Sequence, residues 1–153
     1  MSSMSRMNDL GIELPALSPP AGLYAQCVRT GSLLYTSGKG PTRNDGSSVT
    51  GRVGSDLTLA EGRAAARLAG LQLLAAMAAE PGGLDNVARV VKTLGMVNCA
   101  PGFTDTPAVI DGCSELFIEV FGETGRGARS AVGMSELPNG IAVEIEIIVE
   151  LRD

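Results

Sequence analysis

The amino-acid sequence predicts an α+β domain in which two helices pack on one face of a mixed β-sheet, in the order ββαβαββ. Three observations lead to this prediction. A helix-capping pattern opens an alanine-rich stretch with an apolar residue at every third or fourth position. The last segment of the chain alternates apolar and polar residues, as a strand with one buried face does. The 153 residues, a length typical of one domain, contain no repeat and no internal linker.

The beginning of the chain is predicted to lack regular structure. Residues 1–22 are rich in serine and proline and end in Ser18-Pro19-Pro20-Ala21-Gly22. Proline and glycine at this density favour turns and irregular backbone. We therefore divide the chain into an N-terminal arm over 1–22 and a single domain over 23–153.

A β-hairpin is predicted next. Two short strand-like runs, 24–30 and 33–37, flank the turn signal Gly31-Ser32. The stretch 40–54 that follows is rich in glycine, serine, threonine, asparagine and aspartate, which predicts a surface loop.

The first long helix is predicted to begin at Thr58. Thr58 and Glu61 form a capping box, in which each side chain can satisfy an amide at the start of the helix. The helix is predicted to end at Pro81-Gly82-Gly83. Its apolar stripe is predicted to comprise Ala60, Ala64, Leu68, Leu71, Ala75 and Ala78.

A long buried strand and a second helix follow. Residues 87–98 are β-branched and apolar enough for an interior strand. Thr106-Pro107 supplies a helix cap and a first-turn proline, and Gly122 ends the helix. Its buried face is predicted to contain Ile110, Cys113, Phe117 and Val120.

The final two strands are predicted over 128–137 and from 141 onwards, with a turn at 138–140 between them. The last strand buries one face and presents Glu144 and Glu146 on the other, beside an isoleucine. That second face is too apolar for plain solvent surface and too charged for a closed core. The sequence therefore predicts oligomerisation through the sheet.

Composition argues against several classes of function. The net charge of −5 and the absence of any basic run disfavour a nucleic-acid partner. With no histidine, the chain has no Ser-His or Cys-His pair, and its three widely spaced cysteines predict neither a metal site nor disulfides. No membrane-spanning segment or secretory leader is evident, so we expect a cytoplasmic protein without a membrane partner.

Two residues near the end of the chain could carry chemistry. Arg129 opens one predicted strand and Glu144 lies on the next, so both could face one pocket. A guanidinium can hold a small carboxylate through two parallel hydrogen bonds, and a glutamate can deprotonate water. The alternative is an ordinary cross-strand ion pair on a solvated face, which spacing alone does not exclude.

Four short motifs are the most specific features of the sequence: Ala128-Arg129-Ser130, Leu137-Pro138, Val143-Glu144-Ile145-Glu146 and Tyr35-Thr36-Ser37-Gly38. They resemble those of the YjgF/RidA family, which comprises reactive-intermediate (imine) deaminases and is also labelled endoribonuclease L-PSP. The resemblance extends over most of the chain from about Tyr24. The long N-terminal arm and the loop at 40–54 are more similar to a less-studied branch of the family.

This resemblance implies a chorismate-mutase-like fold, a homotrimer and ligand sites between subunits. It also implies cofactor-free, metal-free hydrolysis of 2-imino or enamine acids to 2-keto acids and ammonia. By position, Arg129 would bind the substrate carboxylate and Glu144 would orient water or relay a proton. Tyr24, Ser37 and Gly38 would line the pocket.

Two pocket positions depart from the family pattern. Ala131 stands where characterised deaminases often have cysteine, and Asp111 aligns with a pocket asparagine. The charge of Asp111 could compete with a substrate carboxylate for Arg129, or the residue could simply be a solvated helix position.

Two alternative functions are therefore kept. One is a non-catalytic module that binds small carboxylates such as 2-keto acids. The other, disfavoured by the composition, is an endoribonuclease or translation inhibitor.

Overall fold

The computed structural model describes residues 1–152 as three α-helices and five β-strands. The helices are α1 (Ser3–Leu10), α2 (Leu59–Ala78) and α3 (Thr106–Phe121), and the strands are β1 (Cys27–Thr30), β2 (Leu33–Thr36), β3 (Val87–Asn98), β4 (Ala128–Met134) and β5 (Val143–Leu151). After α1 the order is ββαβαββ, so the predicted α+β class is confirmed. None of these helices is long and apolar enough to span a bilayer.

The five strands form one mixed sheet in the order β1-β2-β5-β3-β4. Strands β3 and β4 are parallel, and every other neighbouring pair is antiparallel. As predicted, β3 is an interior strand, because β5 and β4 pair with its two edges. Strand β3 thus separates β4 from β5, although the chain runs from β4 to β5 through a short turn at Pro138–Gly140.

Helices α2 and α3 cover one face of the sheet, and two glycines set their close spacing. A Cβ atom added at Gly112 would lie 2.1 Å from the carbonyl oxygen of Arg63. One added at Gly70 would lie 3.0 Å from Cys113 Sγ. Because backbone meets backbone at Gly112, α3 is held at a definite distance from α2, and the side chains on its opposite side are positioned accordingly.

The start of α2 matches the prediction, but its buried face does not. Thr58 Oγ1 accepts a hydrogen bond from the Glu61 amide at 3.1 Å, which confirms the cap. Ala60 and Ala64 are exposed, so the predicted stripe was wrong over the first half of the helix. Alanine occupies several faces of α2, so the alanine pattern does not define which face is buried. The buried face is the one that also carries glycine, because glycine allows the closest packing. The buried set includes Gly62, Ala65, Ala66, Ala69, Gly70, Leu73 and Met77.

Part of the N-terminal arm, Ser3–Leu10, is helical where the sequence predicted irregular structure, and residues 11–22 are irregular as predicted. Ser2 caps α1 by accepting a hydrogen bond from the Ser5 amide, and Gly11 ends it in the left-handed conformation at φ 65°. Met7 is only 2% exposed and belongs to the main hydrophobic core. A serine cap and a terminal glycine are therefore enough for one short helix that packing completes.

Within residues 1–152, none of the helices covers the second face of the sheet. Exposed or half-buried apolar side chains lie there beside the carboxylates of β5, as the alternation in the last strand predicted. Strand register places these residues on that face: Val28, Tyr35, Leu94, Met96, Val132 and Ile148, with Glu144 and Glu146.

Candidate functional site

Arg129 lies on the helix-covered face of the sheet, at its β4 edge. It is the second residue of β4 and is paired in register with the buried Thr93 of β3. Between β4 and α3 there is a cavity of about 450 Å³. Residues around it include Thr93, Asp111, Ser114, Phe117, Arg126 and Arg129.

The guanidinium of Arg129 is held by α3. Its Nη1 donates to Asp111 Oδ1 at 2.6 Å and to Ser114 Oγ at 3.1 Å. Asp111 and Ser114 are three residues apart on the helix, so they lie on one face and reach the same nitrogen. The Arg129 side chain is 25% exposed, which leaves it accessible from the cavity.

Glu144 lies on the opposite face of the sheet, beside a second cavity of about 600 Å³. This cavity is lined by Gly22, Tyr24, Ser37, Gly38, Asn139 and Glu144, among others. Three pocket residues predicted from the resemblance, Tyr24, Ser37 and Gly38, are therefore brought together with Glu144.

Gly38 is what allows the Glu144 carboxylate to lie in this cavity. A Cβ atom added at Gly38 would lie 2.6 Å from Glu144 Oε2 and 2.9 Å from its Cδ. Such distances are too short for any side chain, so only glycine leaves room for the carboxylate in this position.

Hydrogen bonds fix the wall of the Glu144 cavity. The Ser37 hydroxyl donates to the carbonyl oxygen of Ala25 at 2.6 Å. The Tyr24 hydroxyl accepts from the Ala21 amide at 3.1 Å, which ties the segment before β1 to the cavity. The tyrosine is therefore a structural part of the wall as well as a lining side chain.

The environment of Glu144 changes its acidity. Burial raises the pKa of the Glu144 carboxyl above its ordinary value, and the neighbouring charge of Glu146 raises it further. A carboxylate with a raised pKa is a stronger base than an exposed glutamate, which suits it to accept a proton from water.

A single chain does not bring Arg129 and Glu144 together. Strand β3 lies between their strands, and the two side chains leave opposite faces of the sheet. The prediction that one chain could place both in a single pocket was therefore wrong, and so was the alternative of a cross-strand ion pair. The carboxylate that pairs with Arg129 is Asp111. The two residues lie on strands that follow each other in the chain, but these strands are not neighbours in the sheet, because β3 lies between β4 and β5.

The remaining predicted pocket residues lie on the Arg129 side. Ala131 is on the same face of β4, partly buried against the core, and its carbonyl oxygen accepts from Thr106 Oγ1 at 3.1 Å. Ser114, the second partner of Arg129, was not predicted from the sequence. Its spacing of three residues from Asp111 is a signal that could have identified it.

The described residues offer little for a metal. Among residues 1–152 no three aspartate, glutamate or cysteine side chains come together in a way that could hold an ion. Burial raises the pKa of the Cys113 thiol far above its ordinary value, so this cysteine is a packing residue between α2 and α3.

Residues 4–150 match the family described as "YjgF/chorismate_mutase-like, putative endoribonuclease". The chain belongs to this family. The YjgF assignment agrees with the mixed five-stranded sheet and the two helices on one of its faces. It also agrees with the motifs around Arg129 and Glu144 from which the resemblance was inferred.

Individual relatives of this YjgF protein are similar over nearly the whole chain. "Protein TCP17" of Trypanosoma cruzi is 45% identical over 97% of this chain and 94% of its own. A "2-iminobutanoate/2-iminopropanoate deaminase" of Dermatophagoides farinae is 32% identical over 92% of this chain and 95% of its own. The crystal structure of Atu1372 from Agrobacterium tumefaciens, of unknown function, is 40% identical, covers 98% and 92% of the two chains, and has a TM-score of 0.88.

Proposed function

We propose that this protein hydrolyses 2-imino and enamine acids to 2-keto acids and ammonia, at sites between the subunits of a cytoplasmic homotrimer. The observation that carries the proposal is the pair of half-sites: a guanidinium in one cavity and a carboxylate of raised pKa in another. A deaminase of 2-iminobutanoate and 2-iminopropanoate among the relatives supports the choice of substrate.

The proposed chemistry needs only positioning and proton transfer. Arg129 binds the substrate carboxylate through guanidinium nitrogens that Asp111 and Ser114 do not engage. Glu144 accepts a proton from a water molecule, whose oxygen forms a bond to C2 of the imine. The electrons of the C2=N double bond move to the nitrogen, which takes up that proton. The hydroxyl proton of the resulting carbinolamine then passes through Glu144 to the nitrogen, the C2–N bond breaks, and ammonia leaves as the C2–O bond becomes a carbonyl. An imine is already electrophilic, so no cofactor is required.

Assembly would unite the two half-sites. The face of the sheet that carries Glu144 has exposed Val28, Tyr35 and Val132, and no helix in the described part of the chain covers it. If the β4 edge of one subunit packs against this face of the next, Arg129 approaches the neighbour's Glu144. Such a contact joins two different surfaces, and three copies of it close a ring.

A non-catalytic carboxylate-binding module is the second candidate. The observation in its favour is that the Arg129 cavity is complete on one chain, whereas Glu144 is available only from another. Binding would then need Arg129 alone. An endoribonuclease, the activity named in the family description, is not favoured by a chain with net charge −5 and no histidine.

The deciding experiment measures 2-keto acid and ammonia formed from freshly generated 2-imino acids. We compare the wild type with Arg129→Ala and with a matched control, Arg126→Ala. Arg126 lines the same cavity, but it is exposed and paired with Glu123. Loss of two charge-assisted hydrogen bonds should lower kcat/KM about 100-fold for Arg129→Ala and leave Arg126→Ala nearly unchanged.

The oligomeric state of each variant is checked by light scattering. Wild-type protein that binds 2-keto acids but releases no ammonia from any imino acid would replace the deaminase proposal with the binding module. Equal activity of Arg129→Ala and the wild type would contradict both candidates.

A further inference from the structure

The ion pair between Arg129 and Asp111 gives the cavity a charge pattern of its own. We infer that Asp111 makes the cavity select ligands that carry a carboxylate and a cationic nitrogen on adjacent carbon atoms. In the proposed reaction, on which this inference rests, that ligand is the protonated 2-imino acid, and the ligand selected against is the 2-keto acid product. Asp111 is thus a specificity-determining residue.

Arg129 keeps enough donors for a carboxylate while it is paired with Asp111. A guanidinium has five N–H donors, two of them on Nη1. Both Nη1 donors are engaged, one by Asp111 Oδ1 and one by Ser114 Oγ. Among the hydrogen bonds of residues 1–152, none uses Arg129 Nε or Nη2. The edge formed by these two nitrogens has the geometry for a bidentate carboxylate.

Asp111 keeps one oxygen for a cation. Only its Oδ1 is engaged by Arg129, and within residues 1–152 no hydrogen bond involves its Oδ2. The Asp111 side chain is 45% exposed and lines the cavity. A negative oxygen therefore lies beside the positive edge of Arg129, and the two charges are complementary to a zwitterion.

The other charged groups around the cavity are already paired with residues outside it. Glu115 forms an ion pair with Arg63, and Arg126 forms one with Glu123. Neither pair presents an uncompensated charge to a ligand. The ligand charge that the cavity prefers is therefore set by Arg129 and Asp111 together.

A 2-keto acid and a 2-imino acid differ in the group beside the carboxylate. The ketone oxygen is neutral and partly negative, so a 2-keto acid brings one net negative charge toward Asp111. A protonated imine nitrogen brings a positive charge to the same place. For half-exposed charges a few ångströms apart, we expect a preference of roughly tenfold for the zwitterion.

Calorimetric titration with two stable ligands of the same carbon skeleton tests the inference without turnover. The ligands are 2-aminobutyrate, a zwitterion, and 2-ketobutyrate, a monoanion. Wild type is compared with Asp111→Asn, which keeps an oxygen that can accept from Arg129 Nη1 but removes the charge. The matched control is Glu115→Gln, which removes the same charge from the same cavity wall.

We expect wild type and Glu115→Gln to bind 2-aminobutyrate roughly tenfold more tightly than 2-ketobutyrate. In Asp111→Asn the preference should disappear, mainly because 2-ketobutyrate binds more tightly. An equal ratio in wild type and Asp111→Asn would overturn the inference. A wild type that binds the two ligands equally would also overturn the inference, and so would a wild type that binds neither ligand at millimolar concentration. Because these two outcomes need only the wild type, the test remains decisive even if Asp111→Asn fails to fold.

This outcome is separable from that of the proposed function. A wild type with the expected selectivity but no turnover of imino acids would leave the ligand class standing and remove the deaminase proposal. A wild type that turns over imino acids but shows no selectivity dependent on Asp111 would support the deaminase proposal and overturn the inference about Asp111.

Discussion

Glu144 shows how strongly the surroundings of one residue determine its chemistry. Its carboxylate is partly buried, lies directly over the backbone of Gly38 and has Glu146 two residues away on the same face. Burial and the like charge both disfavour its ionised form, so its pKa is raised. The resemblance implies that Glu144 orients water or relays a proton, and the cavity supplies a physical reason why this carboxylate could accept one.

The pH dependence of turnover tests this assignment. A base must be ionised, so activity should fall as the pH drops through the raised pKa of Glu144. Glu146→Gln removes the like charge and should lower that pKa, which moves the acid limb of the kcat/KM profile to lower pH. The matched control is Glu136→Gln, an exposed carboxylate paired with Arg52.

An acid limb that does not move in Glu146→Gln would contradict the role of Glu144 as the titrating base. A limb that moves equally in Glu136→Gln would show that net charge, and not the local pair, controls the profile. Initial rates across the acidic range, at substrate concentrations well below KM, provide the measurement.

At the scale of elements, α1 is the clearest addition to the predicted fold. The helix is only eight residues long, too short to be stable by itself. Its stability comes from Met7, which packs in the main core, and from the Ser3 amide, which donates to Asp85 Oδ1 at 2.7 Å. Tertiary contacts therefore decide that this serine-rich segment is helical.

Substitution of two methionines on α1 tests this packing. Met7→Ala removes a side chain that is 2% exposed, whereas Met4→Ala removes one that is 46% exposed. We expect Met7→Ala to lower the free energy of unfolding by about 2 kcal/mol and Tm by roughly 4–8 °C. Met4→Ala should change Tm by no more than about 1 °C.

Thermal unfolding followed by circular dichroism gives both values. Equal, small effects of the two substitutions would show that α1 is not docked on the core in solution.

Helix α3 connects packing with the candidate site. Gly112, on the side that faces α2, allows backbone contact with Arg63, while Asp111 and Ser114 reach Arg129 on β4. Three residues within about one turn of α3 therefore determine how α2, α3 and β4 are arranged. The sequence predicted the helix and its apolar face, but the spacing of α2 and α3 became evident only from the contact at Gly112.

For the whole molecule, the position of β3 between β4 and β5 has the largest consequence. It sends Arg129 and Glu144 to opposite faces of the sheet, so within one chain they lie in two separate cavities. Under the proposed function the active unit is then a contact between subunits, and catalysis depends on assembly.

Complementation between inactive variants tests this shared site. Arg129→Ala and Glu144→Gln should each lose most of the wild-type activity when alone. In mixed trimers formed from equal amounts, a site is complete where a Glu144→Gln subunit supplies Arg129 and its Arg129→Ala neighbour supplies Glu144. Random assembly of a ring predicts recovery of about a quarter of wild-type activity.

The two variants are co-expressed with different tags, and mass spectrometry of the intact assemblies confirms mixing. Homogeneous preparations of each variant are the controls. Mixed trimers without recovered activity would contradict a site that combines Arg129 and Glu144 of different subunits.

Much of the local structure follows from the sequence because its causes are local. The cap at Thr58, the turn at Pro138–Gly140 and the alternation along β5 involve residues close together in the chain. The motifs around Arg129 and Glu144 are likewise short, and they resemble those of the family to which the chain belongs. Short-range hydrogen bonds, and the burial of every second side chain along a strand, depend on residues that are close together in the chain.

The arrangement of the site depends on contacts between residues far apart in the chain. Strand order placed β3 between β4 and β5, close helix packing selected the buried face of α2, and the pairing of Arg129 with Asp111 joins residues 18 positions apart. Many pairings are compatible with the same local pattern, and only the lowest free energy of the whole packed chain distinguishes them. The sequence therefore determined the fold class and the local elements, whereas tertiary packing decided which side chains meet.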